Sequence, residues 1–522
     1  MAYLVAMHST NSGRLTWFLA GVAAAAVAIG AEELVGGLIG GASIVAEIGA
    51  LVIALQPPGG KDLMTQLFGT NDKAALEIMV TIGGLVVGGL LGLAAKRDAR
   101  IAMAGFIAFG VVAFILLVSD PLNTLYAAGL VAFVAVIGGL MTLSWLTGAI
   151  ARFTAMSSAK TDAGRRGFVA LAAFLIVGGS GLAVLGRVLG GQSVGPSTGG
   201  SAGPIPSPGQ TVAPVAAGAD FSTDPTVAGL SPIVVPNADF YRIDTRLSTP
   251  RLDAASWSLR IHGMVDREIT LTYDQLVARP LVERYVTIAC VSNEVGGHLV
   301  GNAKWTGTSL IDLLNEAGIQ AGATQVVGRS FDGFTVGFPT DHLAAAGKDA
   351  MVVVEMNGEP LPEQHGFPAR LIVPGLFGYV SATKWLTEIE LTTLEAFDAY
   401  WVPLGWSKLG PILTQSRIDR PTYGASVGAG QYSIAGVAWA PTRGISKVEI
   451  QLDNGDWQPA QLSQPISNYA WVQWRVTLDV AAGPHSVTVR ATDGTGALQD
   501  QRSTPPPPDG ARGWHHVEFS AG

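Results

Sequence analysis

The sequence predicts a multi-domain chain of three parts: an N-terminal α-helical transmembrane bundle, an α+β domain and a C-terminal β-sandwich. Three observations predict it. Apolar runs of about twenty residues recur before residue 190 and then stop. A charge-free stretch of Gly, Ser, Pro and Ala follows. Beyond it, strand and helix patterns alternate to about residue 400, and after that only short strands are signalled. The boundaries read from these shifts are 1–190, a linker 191–224, 225–400 and 401–522.

The whole chain of 522 residues is 48% hydrophobic and only 14% charged, but that average hides a split. Ten of the twelve Trp lie after residue 190, where the composition is that of an ordinary soluble domain. The net charge of −8 and the lack of a basic patch with interleaved aromatics argue against nucleic acid as a partner. A single cysteine excludes an intrachain disulfide and a Cys-rich zinc site, and it suits an extracytoplasmic protein that avoids stray disulfides.

Five runs are long and apolar enough to span a membrane: 15–33, 74–95, 101–118, 123–149 and 167–189. The stretch 34–54 is Gly-rich, carries Glu47 and follows Glu32 and Glu33, so it is expected to lie on or dip into the outer face. Lys96, Arg97 and Arg100 follow the second run, and Arg152, Lys160, Arg165 and Arg166 precede the last. The break around Asp120 has no Lys or Arg. The basic breaks are therefore expected in the cytoplasm, so the chain beyond residue 190 is expected outside: a multi-pass cell-membrane protein with an extracytoplasmic C-terminal half. Glu32, Glu33 and Glu47 read either as proton or quinone groups or as residues of a helix end. No His occurs between His8 and His262, so a bis-His heme in the membrane lacks its ligands.

Residues 191–218 read as a flexible, partly extended tether. Next, Trp257–Ile261 and Met351–Val354 have strand character, while Leu310–Ala317 has apolar residues at helical spacing with Gly318 as its stop. Later, Gly436–Trp439, Lys447–Leu452, Trp471–Leu478 and Ser486–Ala491 are strands divided by turn signals such as Asn454-Gly455, the spacing of an Ig-like sandwich.

The lone cysteine sits in Val286–Asn293 (VTIACVSN). Alone, Cys290 reads as a core residue. Its company differs: Lys304-Trp305-Thr306-Gly307 and Leu310, then Glu355-Met356-Asn357-Gly358-Glu359-Pro360-Leu361-Pro362, His365–Arg370, Val373-Pro374-Gly375 and Lys384-Trp385. In order, spacing and residue type this series resembles the sulfite oxidase family of molybdopterin enzymes, over about 230–519. The strands near Trp439 and Trp471 resemble that family's dimerisation domain.

The resemblance implies a sulfite-oxidase-like α+β domain, an oxidoreductase activity and a molybdenum cofactor, a pterin dithiolene holding an oxo-molybdenum centre. Cys290 would be the protein ligand, because a soft thiolate suits a metal already bound by sulfur. Arg370 would clamp the pterin phosphate as a planar fork. Ser381, Ala382 and Thr383 would add donors, Lys384 further charge, and His365 a bond to the pterin or its phosphate. Tyr241 and Arg242 match an N-terminal cofactor-contacting segment, and Ser330 a polar pterin contact. Trp305-Thr306-Gly307 reads as packing. A cofactor-loaded domain crosses a membrane folded, which turns Arg165-Arg166 from a pair of positive-inside anchors into an expected twin-arginine export address.

Sulfite oxidases carry an arginine pair shortly after the cysteine. Here Val291–His298 contains none, and Glu294 would repel an anion, although Arg242 remains available. The sulfoxide-reducing branch of the family expects an asparagine three residues before Tyr241, where Ala238 stands beside Asn237, and lacks the sandwich. His298, Glu294, Tyr379, Tyr400 and Trp401 are further pocket candidates. With no Cys-x-x-Cys-His in the chain, electrons are expected to pass to a separate carrier or a membrane partner. The reading is an anchored, outward-facing enzyme, with a homodimer implied by the sandwich, that transfers an oxygen atom to or from a small sulfur or nitrogen oxo compound. The enzyme alternative is reduction of methionine sulfoxide or other sulfoxides in the cell envelope. An anchored Ig-like binding module would need none of Cys290, His365 and Arg370, and a transporter would carry more charge deep in its spans.

Overall fold

The computed structural model describes residues 2–39, 41–55, 72–119, 123–155, 162–192, 205–216, 218–246, 249–344 and 348–522. They form two compact units, Met1–Ser197 with Thr245–Thr249, and Thr198–Asp244 with Pro250–Gly522.

The first unit is helical: α1 (Ala2–Ile39), α2 (Ile44–Leu55), α3 (Asp72–Ala95), α4 (Ala99–Ser119), α5 (Leu125–Ala155) and α6 (Asp162–Gln192). Five of these contain stretches long and apolar enough to cross a membrane: Gly13–Ile39, Ala74–Ala95, Ala99–Ser119, Leu125–Ile150 and Arg166–Leu189. They correspond to the five apolar runs of the sequence. The ambiguous stretch 34–54 divides, its first residues completing α1 and the rest forming α2, which at 12 residues is too short to span. The break is a glycine turn in which Gly41 N–H donates to Gly36 O at 2.9 Å. Glu32 accepts from Ile44 N–H at 3.3 Å, and Glu33 accepts from the Ser43 hydroxyl at 2.7 Å and pairs with Arg187 at 3.0 Å. These carboxylates hold a helix end, the second of the two roles expected for them.

Glycines let the helices touch backbone to backbone. A Cβ on Gly30 would lie 2.1 Å from Gly179 O, and one on Gly37 2.1 Å from Gly186 O. Both numbers rise together, so α1 and α6 run parallel. Against α3 the order reverses: Gly21 meets Gly88 and Trp17 meets Gly92, so α1 and α3 are antiparallel. Arg165 and Arg166 both lie in the first turns of α6.

The second unit begins with a correction to the tether. Its residues 193–204 and 217 lie outside the described ones, but Gly209 N–H donates to Leu281 O at 2.9 Å and Glu283 N–H to Gln210 O at 2.8 Å. This Pro-rich segment covers an open strand edge, which its composition could not announce.

Two sheets make the α+β part. One has the order Ile269–Thr272, Ser258–Gly263, Leu386–Thr392, Gln325–Ser330, Thr335–Pro339, with a parallel pairing of Ser258–Gly263 and Leu386–Thr392. The other runs Leu281–Ala289, Val300–Ser309, Met351–Met356, Glu359–Pro360, with Arg370–Ile372 also paired to Met351–Met356. The helix Leu310–Ala317 is as read from sequence: Ser309 caps its start by accepting from Asp312 N–H, and Gly318 ends it at φ +75°.

The C-terminal part is a β-sandwich of a four-stranded and a five-stranded sheet. The strands Gly430–Trp439, Ile445–Leu452, Val472–Val480 and Gly483–Asp493 contain or closely match those read from the sequence. Ile434, Val448, Ile450, Trp474, Val487 and Val489 fill the space between its sheets. Val437, Trp439 and Trp471 instead join the apolar core of the α+β part. Trp471 Nε1 donates to Ile233 O at 2.8 Å, and its N–H to Thr287 Oγ1 at 2.8 Å. The sandwich is therefore fused to the α+β part through a common interior.

Candidate functional site

Cys290 follows the strand Leu281–Ala289, at the start of the loop that returns into Val300–Ser309. Its N–H donates to Leu299 O at 2.9 Å, and Asn293 Oδ1 accepts from Leu299 N–H at 2.7 Å, so the loop is tied across its mouth. The thiol is half-buried, with Sγ 2.9 Å from Ser292 Oγ.

Arg370 is 4% exposed. Its Nη1 donates to His365 O at 3.0 Å and its guanidinium lies 5.0 Å from the Trp305 ring centre. Among the described residues Nε finds no partner and no carboxylate pairs with the group. Burial lowers its pKa to about 10. The Leu371 N–H donates to Thr383 O at 2.8 Å, which brings Thr383 beside this strand, and the fully buried Thr383 hydroxyl also lacks a partner among the described residues. A Cβ on Gly328 would lie 2.5 Å from that hydroxyl, so this position has no room for a side chain. Tyr241 is within electrostatic reach of both Cys290 and Arg370. Burial and then Cys290 raise its phenol pKa, while Arg370 lowers it.

Lys384 and Arg242 meet on Asp244, whose side chain is 1% exposed. Arg242 Nε donates to it at 2.5 Å, and Lys384 Nζ also bonds Gln364 O at 3.1 Å. Burial lowers Lys384 to about 8, and Asp244 offsets part of that fall. The next residue, Trp385, takes φ +50°, a left-handed backbone that bulky residues rarely adopt.

His365 is 2% exposed, and burial lowers its pKa to about 4, so the ring is neutral. Its Nε2 lies 2.9 Å from Asn237 O, which fixes the proton on Nε2 and leaves Nδ1 as an acceptor. Asn357, at φ +57° in the Asn-Gly turn, donates from Nδ2 to Asn237 Oδ1 at 2.8 Å. Asn237 therefore supports His365 through its backbone.

Of the other candidates, Ser330 pairs across the sheet with Leu386 and its hydroxyl accepts from Asp332 N–H at 3.4 Å. The Ser381 hydroxyl donates to Leu376 O and Phe377 O, and Ala382 N–H to Gly378 O at 3.0 Å, so Thr383 is the member of that trio with an unpartnered hydroxyl. Glu294 and His298 are exposed. The Tyr379 hydroxyl is bonded to Ser407 O at 2.6 Å, and Tyr400 is 39% exposed against Trp401, ring centres 5.1 Å apart. Trp305 is fully buried, its Nε1 donating to Val286 O at 3.1 Å. Sequence reasoning missed Asp244; its only signal is an acid two places after Arg242.

A buried guanidinium without a salt-bridged carboxylate and a partly neutralised lysine can together hold a polyanionic group. The Cys290 thiol can bind a soft metal. Residues 246–401 match the family described as oxidoreductase molybdopterin binding domain, and 412–505 match the Mo-co oxidoreductase dimerisation domain. Human mitochondrial sulfite oxidase is 28% identical over 335 residues, 54% of this chain and 61% of that protein. The uncharacterized oxidoreductase YuiH of Bacillus subtilis is 32% identical over 158 residues, covering 30% of this chain and 76% of that one. Among solved structures, the sulfane dehydrogenase SoxCD from Paracoccus pantotrophus is similar with a TM-score of 0.49 and 21% identity, over 55% of this chain and 83% of that one. The chain spans about three fifths of the length of most of the curated sulfite oxidases it matches, 61% for the human protein.

Proposed function

Since this chain belongs to the sulfite oxidase family of molybdenum-cofactor oxidoreductases, we propose that it is a membrane-anchored, extracytoplasmic enzyme acting on a small sulfur or nitrogen oxo compound. The observation that carries the reading is Arg370, buried with an unpartnered Nε and no salt-bridged carboxylate among the described residues. A pterin phosphate would satisfy that donor and neutralise the buried charge.

When bound, the cofactor supplies two-electron redox chemistry with transfer of an oxygen atom. Cys290 holds the metal through Sγ. Arg370, Thr383 and Lys384 hold the phosphate, and neutral His365 offers Nδ1 as an acceptor to the pterin. Ser330 and Arg242 add polar contacts, and Tyr241 separates the thiolate end from the phosphate end. The loop after Cys290 carries exposed Glu294 and no arginine, and Asp244 balances Arg242. That charge pattern favours a neutral or weakly charged substrate over a dianion, which supports sulfoxide reduction as the second reading.

Five apolar helices and the basic break Lys96–Arg100 support the anchor, and the parallel course of α1 and α6 supports an odd number of crossings. Electrons go to a separate carrier or membrane partner, the sandwich supports a homodimer, and Arg165-Arg166 serves as the export address.

The test is molybdenum and pterin per chain, in the full-length protein and in Cys290→Ser, both made in a host that supplies the cofactor. Near one molybdenum per wild-type chain, with the metal lost or its spectrum altered in the variant, supports the reading. A well-folded wild-type chain without molybdenum or pterin refutes it. Turnover of sulfite against sulfoxides then separates the two substrate readings.

A further inference from the structure

The loop that carries Cys290 is gripped from outside its own domain. Arg417, in the sandwich strand Gln415–Arg420, is 2% exposed. Its Nη1 donates to Gly297 O at 2.9 Å, its Nη2 to Ser231 Oγ at 2.8 Å and its Nε to Asp419 at 2.5 Å. Asp419 is itself fixed by Ser231 N–H at 2.9 Å. Every arm of this buried guanidinium is thus engaged, and one arm ends on the Cys290 loop.

His515, in the last strand, supplies the second contact. Ile418 N–H donates to its Nδ1 at 3.0 Å, so the neutral ring carries its proton on Nε2. That edge of the ring lies against Gly296: a Cβ there would be 2.3 Å from Nε2 and from Cδ2, and Gly296 already has φ +79°. The glycine meets both a backbone requirement and a packing requirement. Gly297 N–H closes back on Glu294 O at 2.9 Å. The loop is therefore tied at its mouth by its own bonds and at its tip by the sandwich.

We propose that the sandwich, which matches a dimerisation domain, also positions the metal-binding loop, with Arg417 and His515 as positioning residues that set how the Cys290 thiol is presented. The proposal rests on the reading of Cys290 as the metal ligand. Neither residue needs to touch metal or substrate for this role. Both act through Gly296 and Gly297.

Cys290 is the only thiol in the chain, so alkylation reports on this loop alone. The test uses the full chain, loaded and cofactor-free. His515→Asn keeps an acceptor where Nδ1 stands, preserving the bond from Ile418, but withdraws the ring from Gly296. In the cofactor-free chain it is expected to raise the alkylation rate about fivefold with little change in melting temperature. Gly296→Ala is expected to do the same, and its effect is expected to be smaller in the His515→Asn background, where the new methyl meets no ring. In the loaded enzyme, molybdenum per chain is expected to stay near wild type while kcat falls with little change in KM. Arg417→Lys, which withdraws the fork from Gly297, is expected to raise alkylation too; should it fail to fold, His515→Asn decides. Wild-type alkylation in His515→Asn, or fully additive effects of the two substitutions, overturns the proposal. Absence of molybdenum from the wild-type chain instead refutes the ligand reading and leaves the alkylation comparison valid.

Discussion

Arg370 and His365 are joined by one hydrogen bond, from Nη1 to the His365 carbonyl at 3.0 Å, and no carboxylate among the described residues is salt-bridged to the guanidinium, Asp244 acting on it only at a distance. A buried cation in that state is a burden until an anion arrives. Arg370→Met, similar in volume and apolar, is expected to leave the cofactor-free chain as stable as wild type or more so, by up to about 2 kcal/mol. The same variant is expected to lose most of its molybdenum. Denaturant midpoints of the cofactor-free protein and metal analysis of the loaded one check the two halves; destabilisation of the cofactor-free chain counts against the anion-site reading.

Acid should reveal His365. Its pKa falls from 6.5 to about 4 on folding, so the unfolded chain binds more protons between those values. The stability it contributes is complete above pH 6.5 and is lost as pH falls through about 4, a swing of about 3 kcal/mol. Urea unfolding of the cofactor-free chain at pH 7 and pH 4.5 measures it, and His365→Gln is expected to flatten the difference.

Asp244 serves two cations, and Asp244→Asn takes the carboxylate from the nearly buried Lys384. A loss of about 3 kcal/mol is expected at neutral pH. Lys384 titrates near 8 when folded against 10.5 ordinarily, so its contribution rises with pH between those values and is lost as pH falls through 8. The penalty of Asp244→Asn should therefore shrink above pH 8. The variant should also inhibit more readily with sulfate, on the order of tenfold, because the site gains a net positive charge. Inhibition constants of the loaded enzyme test that.

Trp471 ties the sandwich to the α+β part by two hydrogen bonds and its buried ring. Trp471→Ala is expected to cost about 3–5 kcal/mol. Hydrogen exchange should show Leu281–Ala289 and Val472–Val480 losing protection together. Loss confined to the sandwich strands would mean that the two parts unfold separately.

The candidate site and the helix ends were legible in the sequence where a short pattern marked them. Cys290, His365, Arg370 and Thr383 lie in compact runs, and Ser309 and Gly318 mark both ends of a helix. Asp244 was not legible, because its meaning depends on Lys384, 140 residues away. Arg417 and His515 were hidden for the same reason: Arg417 meets Gly297 across 120 residues. Composition misled at 205–216, where a tether-like segment found an open strand edge. At 34–54, hydropathy could not tell one dipping segment from a helix end followed by a short helix, since both are equally apolar.

The glycine contacts of α1 bear on how the chain is assembled. Its partners at Gly179 and Gly186 are made last among the helices, so the groove at Gly30 and Gly37 stays unfilled until synthesis has passed residue 186. A ribosome stalled before α6 would present a nascent chain with a bare seam along its first helix. With Arg165-Arg166 as the export address, α6 enters the membrane only after the redox domain has folded around its cofactor, so the seam along α1 stays open until that domain has been delivered.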